Sequence, residues 1–289
     1  MVNVSLIKGN NRYKNVFRAL KEIEPEIKQK IAGKKRIVLK PNFVSTTIQL
    51  AATHVEAVKA VLDFLKPLNE EKIIVAEGAA SYKTEEGFKN FGYFDELKDY
   101  NIEFQDLNND SFSEFDIYSE ELKPLKIRIA KTILDSDFRI SLALLKTHET
   151  VIVTLTLKNM IVGSLMKKSN IHQGYKATNL NLTKLAEIIP PQLSIIDGFL
   201  GMEGDGPVQG TPIEMNVALA GTDFLSVDTV GINLMGFDIS QIGYLYWCKE
   251  KKLGIADLKQ INILGNTSIE ESKKKFQLSP NYNNSIKWQ

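Results

Sequence analysis

Short β-branched apolar runs alternate along this chain with stretches whose apolar residues fall at helical spacing, and that alternation leaves few architectures open. Val2 to Ile7 reads as a strand, Tyr13 to Ile31 as a helix capped near Gly33, and Arg36 to Leu39 as a strand. His54 to Leu65 reads as a helix and Lys72 to Ala76 as a strand. Strands alternating with crossover helices predict an α/β fold with a mostly parallel sheet and flanking helices, built as one unit or as two intimate lobes. Further along, Thr84 is the expected N-cap of a short helix, Asn101 to Leu107 a strand, and Phe138 to Leu145 a fully buried strand. Thr154 to Gly163 fits strand and helix equally. Asn179 to Ile189 is helical before the stop at Pro190-Pro191, and Leu193 to Ile196 is a strand. Phe224 to Met235 and Ile239 to Lys249 are helices, Ile261 to Leu264 a late strand, and Ser268 to Phe276 the start of a terminal helix. The polar stretch from Asn108 to Leu125 suggests a hairpin or a small inserted subdomain near residues 108–130 of a single unit spanning 1–289.

The unusual polar residues cluster just beyond the apolar runs. Lys40-Pro41-Asn42 follows RIVL, Glu77-Gly78 follows KIIVA, and Lys146-Thr147-His148 follows ISLALL. Asp197-Gly198 follows LSII, and Thr222-Asp223 follows NVALAG. In open α/β sheets ligands bind beyond the carboxyl ends of the strands, so these tips are expected to share one crevice.

Within that crevice the residue types divide by chemistry. Lys146 to Asn159 places two lysines, a histidine and several threonines directly after a buried strand. Cations and hydroxyls so placed can hold a carboxylate or phosphate while His148 moves a proton. Lys146 and His172 join His148 as candidate catalytic groups, and Lys40, Asn42, Lys158 and Asn159 are candidate ligand-binding groups. Asp197 to Pro212 is rich in glycine and acids. Gly204 and Gly206 would let backbone approach a ligand, and Glu77, Asp197, Glu203 and Asp205 could supply hard oxygen ligands to a divalent metal. The stretch lacks both the phosphate-loop ending and the dinucleotide glycine spacing. The TTIQLAATH segment after Phe43 reads as a mobile flap; Asp223, Ser226 and Asp228 either cap the helix from Phe224 or reach the crevice, with Asp223 read as the cap.

A formal net charge of +1 argues against a nucleic-acid binder held by bulk electrostatics. The single Cys248 excludes internal disulfides and a cysteine-held iron–sulfur cluster within one chain. No leader or membrane-length apolar run stands out, so a cytoplasmic protein with no membrane partner is expected.

Taken together, LKPNFV, VAEGAASYKTEEGFKNFGY, LLKTHETVIVTLTLKNMIVG, the isolated His172, IIDGFLGMEGDGPVQGTP and GTDFLSVDTVGINLMG resemble the domain-of-unknown-function 362 family, in order from about Lys34 to Gly265. Members of that family often carry a ferredoxin-like iron–sulfur segment or sit beside redox proteins. The lone cysteine departs from that pattern. A fainter similarity, Lys-x-His followed by Lys-Asn and later Gly and His, is to the nickel-pincer lactate racemase family, whose sites set histidines and a lysine around a cofactor. The functional expectation is an enzyme acting on a small anionic substrate or cofactor by acid–base chemistry, with or without metal assistance. The alternative is a non-catalytic module that binds a cofactor, metal or metabolite for a redox partner.

Overall fold

The computed structural model describes every residue except Lys167, and also leaves the Ser169 side chain undescribed. Its strands are β1 (Val2–Lys8), β2 (Ile37–Lys40), β3 (Ile73–Glu77), β4 (Ile102–Asp106), β5 (Phe112–Tyr118), β6 (Pro124–Ala130), β7 (Phe138–His148), β8 (Ile152–Thr154), β9 (Leu165–Met166), β10 (Leu193–Glu203), β11 (Thr211–Gly221) and β12 (Ile261–Gly265). The helices are α1 (Arg12–Glu22), α2 (Glu24–Ile31), α3 (Val55–Leu65), α4 (Thr84–Asn90), α5 (Tyr93–Glu96), α6 (Lys131–Leu134), α7 (Thr156–Gly163), α8 (Gly174–Ala186), α9 (Phe224–Leu234), α10 (Gly243–Glu250), α11 (Ile269–Ser272) and α12 (Tyr282–Ser285).

A nine-stranded sheet runs in the order β12-β1-β11-β10-β7-β2-β3-β4, with β8 paired to β7. Every strand on that path except β11 points the same way, since β11 is antiparallel to both β1 and β10 and all other neighbours are parallel. Both faces are dry, which is why these strands read as continuous apolar runs. Ile37, Leu39, Val75, Ile140 and Ile195 pack on one side with α1 to α5, while Val38, Ala76, Leu145 and Ile196 join α7 to α10 on the other. The segment near 108–130 is a hairpin, β5 with β6, and β9 adds a third antiparallel strand.

Several local expectations are corrected. The helix expected from Tyr13 to Ile31 breaks at Ile23, because Pro25 cannot sit in a helix interior and instead opens α2. Thr84 does not cap α4. It is already helical, and its hydroxyl accepts from Ala79 N–H and donates to Asp106. The ambiguous segment resolves into a strand and a helix, β8 and then α7. Ile239–Gln241 is a separate 3-10 turn before α10, and the terminal helix shrinks to α11. The TTIQLAATH segment folds as an Phe43–Ala52 bridge and a 3-10 turn with Ala51 and Ala52 buried, so it forms a wall.

Candidate functional site

Three of the five strand tips converge. β2, β3 and β7 are adjacent parallel strands, so Lys40, Glu77 and Lys146 end at one edge of the sheet. The tip after β11 does not join them: antiparallel pairing sends Gly221 to the opposite edge, where Thr222 accepts Lys30 Nζ and Asp223 caps α9 through Ser226 N–H. Asp197 is not at a tip. It lies within β10, on the face packed by α1, with its Oδ2 at 2.9 Å from Arg12 Nε.

At the shared edge the polar groups form a buried chain. Lys40 Nζ donates to Glu77 Oε2 at 2.8 Å, to Asn159 Oδ1 at 3.0 Å and to the Pro41 carbonyl at 3.0 Å. Glu77 also accepts Phe43 N–H and Gly78 N–H. Asn42 Nδ2 donates to the same Asn159 Oδ1 at 3.0 Å, and its Oδ1 accepts Lys146 Nζ at 2.5 Å. Lys146 also donates to the Ala51 carbonyl at 3.2 Å.

Helix α7 carries Lys158 and Asn159, and two contacts set its position. Asp228, on α9, accepts Thr156 N–H, Thr156 Oγ1–H and Leu157 N–H at 2.6–3.0 Å, so it caps α7 from a neighbouring helix. At the other end Gly163 lies against the ion pair so closely that a Cβ there would stand 2.1 Å from Lys40 Nζ and 2.5 Å from Glu77 Oε1. Gly78 is similarly constrained, since a Cβ would meet the Gly163 carbonyl at 2.7 Å.

The chain of groups borders a cavity of about 40 Å³ whose polar lining is Asn42, Glu77, Thr154, Lys158, Asn159 and Lys168. A much larger surface cavity, about 640 Å³, lies instead where β3 and β4 begin, at Ile73 and Ile102, and contains none of these groups. Chemistry rather than volume identifies the candidate site. Lys168 Nζ donates to Asn108 Oδ1 at 2.6 Å, whereas Lys158 is 5% exposed and has no hydrogen-bond or ion-pair partner among the described residues. The buried Thr154 hydroxyl also lacks one.

Burial pulls Lys146 down to about 7, with the Lys158 charge adding to it; burial also pulls Lys158 down to about 7 against the opposing charge of Glu149, and Lys168 down to about 8 against that of Glu77. Burial likewise lowers Lys40, with the Glu77 charge opposing it. His148 lies beside the cavity rather than in its wall. Its Nδ1 accepts Thr150 N–H at 3.0 Å, so the neutral ring carries its proton on Nε2, and burial together with Lys158 depresses its pKa well below the usual value. His172 stands 6.1 Å away, centroid to centroid, at an interplanar angle of 8°. Burial, with the Lys158 charge adding to it, pulls its pKa to about 4, although the residue is exposed to solvent, which tempers the effect.

The Gly-rich loop supports this end of β7 from outside the cavity. Gly204 O accepts Thr147 Oγ1–H, Gly206 O accepts Glu149 N–H, and Gly206 packs so tightly that a Cβ would lie 2.2 Å from the Thr147 carbonyl. Glu203 accepts Gln277 N–H from the C-terminal segment, and Asp205 is exposed. Glu77 is engaged by Lys40 and Asp197 by Arg12, so the four expected oxygen ligands do not gather. Among the described residues no group of three or more His, Cys, Asp or Glu is placed to hold a metal ion. Cys248 is buried in α10, its thiol pushed up to about 12. Sequence reasoning missed Lys168, Asn108, Thr154 and Arg12, and it left Asp228 between two roles. Lys168 sits in an ordinary-looking Lys-Lys-Ser stretch, and only its closeness to His172 in sequence hinted at it.

Fold and site together define an α/β protein with a small cation-lined cavity at the carboxyl edge of a mostly parallel sheet. Residues 37–233 match the profile described as Domain of unknown function (DUF362), and the chain belongs to that family. It is 25% identical to the Thylakoid-associated protein sll1697 of Synechocystis sp., over 76% of this chain and 68% of that protein. It also superposes on the lactate racemase apoprotein from Thermoanaerobacterium thermosaccharolyticum with a TM-score of 0.49 and 14% identity. That match covers 75% of this chain, which spans about half (53%) of the racemase. No helix among the described residues is long and apolar enough to cross a membrane.

Proposed function

We propose that the protein is an enzyme acting on a small anionic substrate, by acid–base chemistry, in the cavity between the ends of β2 and β3 and helix α7. One observation carries the reading: two buried lysines, Lys158 and Lys168, line a cavity where Glu77 is the one carboxylate in the wall and is already paired with a third buried lysine, Lys40. Buried charge without a counter-charge is costly, and groups held in that state mark sites where something else supplies the balance. A carboxylate or phosphate oxygen between Lys158 and Lys168 supplies it with charge-assisted hydrogen bonds. Lys40 and Lys146, already engaged, fix the floor of the cavity. His148, neutral with its proton on Nε2 and within reach of the Lys158 charge, is the proton carrier, and His172 is its parallel neighbour.

Titration calorimetry with pyruvate, phosphate and acetate, in buffers of different ionisation enthalpy, tests the binding half. Binding should take up protons near pH 8, because the anion restores charge to lysines that are partly neutral in the free protein. Catalysis is read separately, from deuterium uptake at the methyl carbon beside the carbonyl of pyruvate in D2O. His148→Ala should keep binding and lose exchange. Absence of binding by every anion, or binding with no exchange in the native protein, overturns the corresponding half.

A further inference from the structure

Of the four buried lysines in or beside the cavity, three are tied down: Lys40 by Glu77 and Asn159, Lys146 by Asn42 and the Ala51 carbonyl, and Lys168 by Asn108. Lys158 lines the same space with no partner among the described residues, and so does Thr154 with its unpaired buried hydroxyl. An unused amine and an unused hydroxyl in one cavity form a pair of groups arranged for a reactant rather than for the fold. The room, about 40 Å³, accommodates about three water-sized groups, the scale of the carboxylate or carbonyl end of a small acid rather than of a nucleotide or a large cofactor.

We infer that Lys158 is a covalent attachment point: its amine condenses with the carbonyl of a small 2-oxo acid whose carboxylate is held by Lys168. This inference rests on the anion-binding reading above and adds to it the substrate class and the bond formed. The Nζ lone pair adds to the carbonyl carbon, and a proton passes from nitrogen to oxygen to give a carbinolamine. Its hydroxyl then leaves with a proton as water. One amine and one carbonyl become one imine and one water, with no change of oxidation state. The protonated imine draws electrons from the adjacent carbon and so acidifies its C–H bonds, which is the chemistry that acid–base groups nearby require.

The surroundings favour a nucleophilic amine at this residue. Lys158 stands in the first turn of α7, whose positive end disfavours an ammonium there, as does Lys40, while the Glu149 charge pulls the other way. Burial works in the same direction, and desolvated lysines beside other cations are the ones that attack carbonyls at neutral pH. Thr154 completes the arrangement with a hydroxyl able to donate to the carbonyl oxygen as charge develops on it.

The test uses the full chain with pyruvate and sodium borohydride, which reduces the imine to a stable secondary amine. Peptide mass spectrometry then locates the adduct. Labelling at Lys158 should exceed that of surface lysines by on the order of a hundredfold near neutral pH, because far more of its amine is unprotonated. Saturating phosphate should suppress it, and acetone, which lacks the carboxylate, should label Lys158 far less than pyruvate. Lys158→Arg, folded by circular dichroism, should give no adduct at that peptide. Pyruvate binding by calorimetry without an adduct overturns the imine and leaves the anion site standing. Neither binding nor adduct overturns both. An adduct on Lys40, Lys146 or Lys168, or one spread over the surface, or one insensitive to phosphate, overturns the assignment to Lys158.

Discussion

Replacing Gly163 with alanine sets two physical effects of opposite sign against each other. Gly163 closes α7 in an ordinary helical conformation, and Gly→Ala in a helix is worth about 0.5–1 kcal/mol of stabilisation. The added Cβ, however, would lie 2.1 Å from Lys40 Nζ, 2.2 Å from Lys40 Cε and 2.5 Å from Glu77 Oε1. These atoms cannot retreat freely, because Lys40 is fully buried and bonded to Glu77, Asn159 and Pro41. If the ion pair shifts intact, overpacking costs about 1–3 kcal/mol. If it separates, a buried charge loses its partner and the cost rises to about 3–5 kcal/mol. The net loss is then up to about 2.5 kcal/mol if the pair moves intact and about 2–4.5 kcal/mol if it separates, read from urea denaturation followed by circular dichroism. In a Lys40→Leu, Glu77→Leu background, which removes the three clashing atoms, Gly163→Ala should cost less than about 1 kcal/mol. A variant more stable than the native protein would show that α7 does not press on the pair as described.

Asp228→Ala removes three bonds to the start of α7 and leaves two buried N–H groups unpaired. It should cost about 2–4 kcal/mol and speed hydrogen exchange at Thr156 and Leu157, whereas unchanged exchange would show that the cap is not formed. Arg12→Met strips the cation from buried Asp197, whose pKa burial already raises against the pull of Arg12. The expected loss is about 3–5 kcal/mol at neutral pH, shrinking in acid as the carboxylate protonates; a loss that stays constant with pH would refute the pairing. The lysine pKa values carry a sign as well. Lys146, Lys158 and Lys168 lose protons near pH 7–8 when folded but near 10.5 when unfolded, so the unfolded state binds more protons and stability should rise from pH 7 to pH 8. Each fully titrating lysine contributes up to about 1.4 kcal/mol per pH unit. Saturating phosphate, by keeping the lysines charged, should flatten the rise, and a denaturation midpoint that falls over this interval would contradict the burial of their charges.

The sheet was legible because β-branched runs and helical spacing are local properties. The tips after β2, β3 and β7 were legible for the same reason, since parallel neighbours must end at one edge. The tip after β11 failed because strand direction is decided by pairing, and NVALAG looks the same in either sense. Asp197 failed through register. LSII resembles a strand that ends at Ile196, yet β10 continues to Glu203, which places Asp197 mid-strand beside Arg12. Lys168, Asn108 and Thr154 carried little signal, because a lysine after another lysine or a threonine among threonines has no feature that distinguishes a buried role. Asp228 was visible as a polar residue in an apolar helix, but its partner, α7, lies 71–72 residues earlier in sequence.

The cost of burying these cations is distributed unevenly, and the distribution carries the functional argument. Asn159 uses both ends of its amide: Oδ1 accepts Lys40 and Asn42, while Nδ2 donates to Ser141 Oγ at 3.0 Å and reaches toward the Lys40 carbonyl. Ser141 in turn donates to the Thr156 carbonyl, linking the network back to α7. A fold that satisfies Lys40, Asn42, Glu77, Lys146 and Asn159 so thoroughly has the acceptors to satisfy one more lysine. Lys158 is left without one while standing on the same rigid helix as Asn159, so its state follows from placement rather than from slack. A ligand that binds only the folded protein and supplies the missing charge would return that stored cost as stability, in proportion to the logarithm of its concentration above its dissociation constant. The unpaired amine of Lys158 therefore sets both the chemistry of a ligand held there and the energy available to hold it.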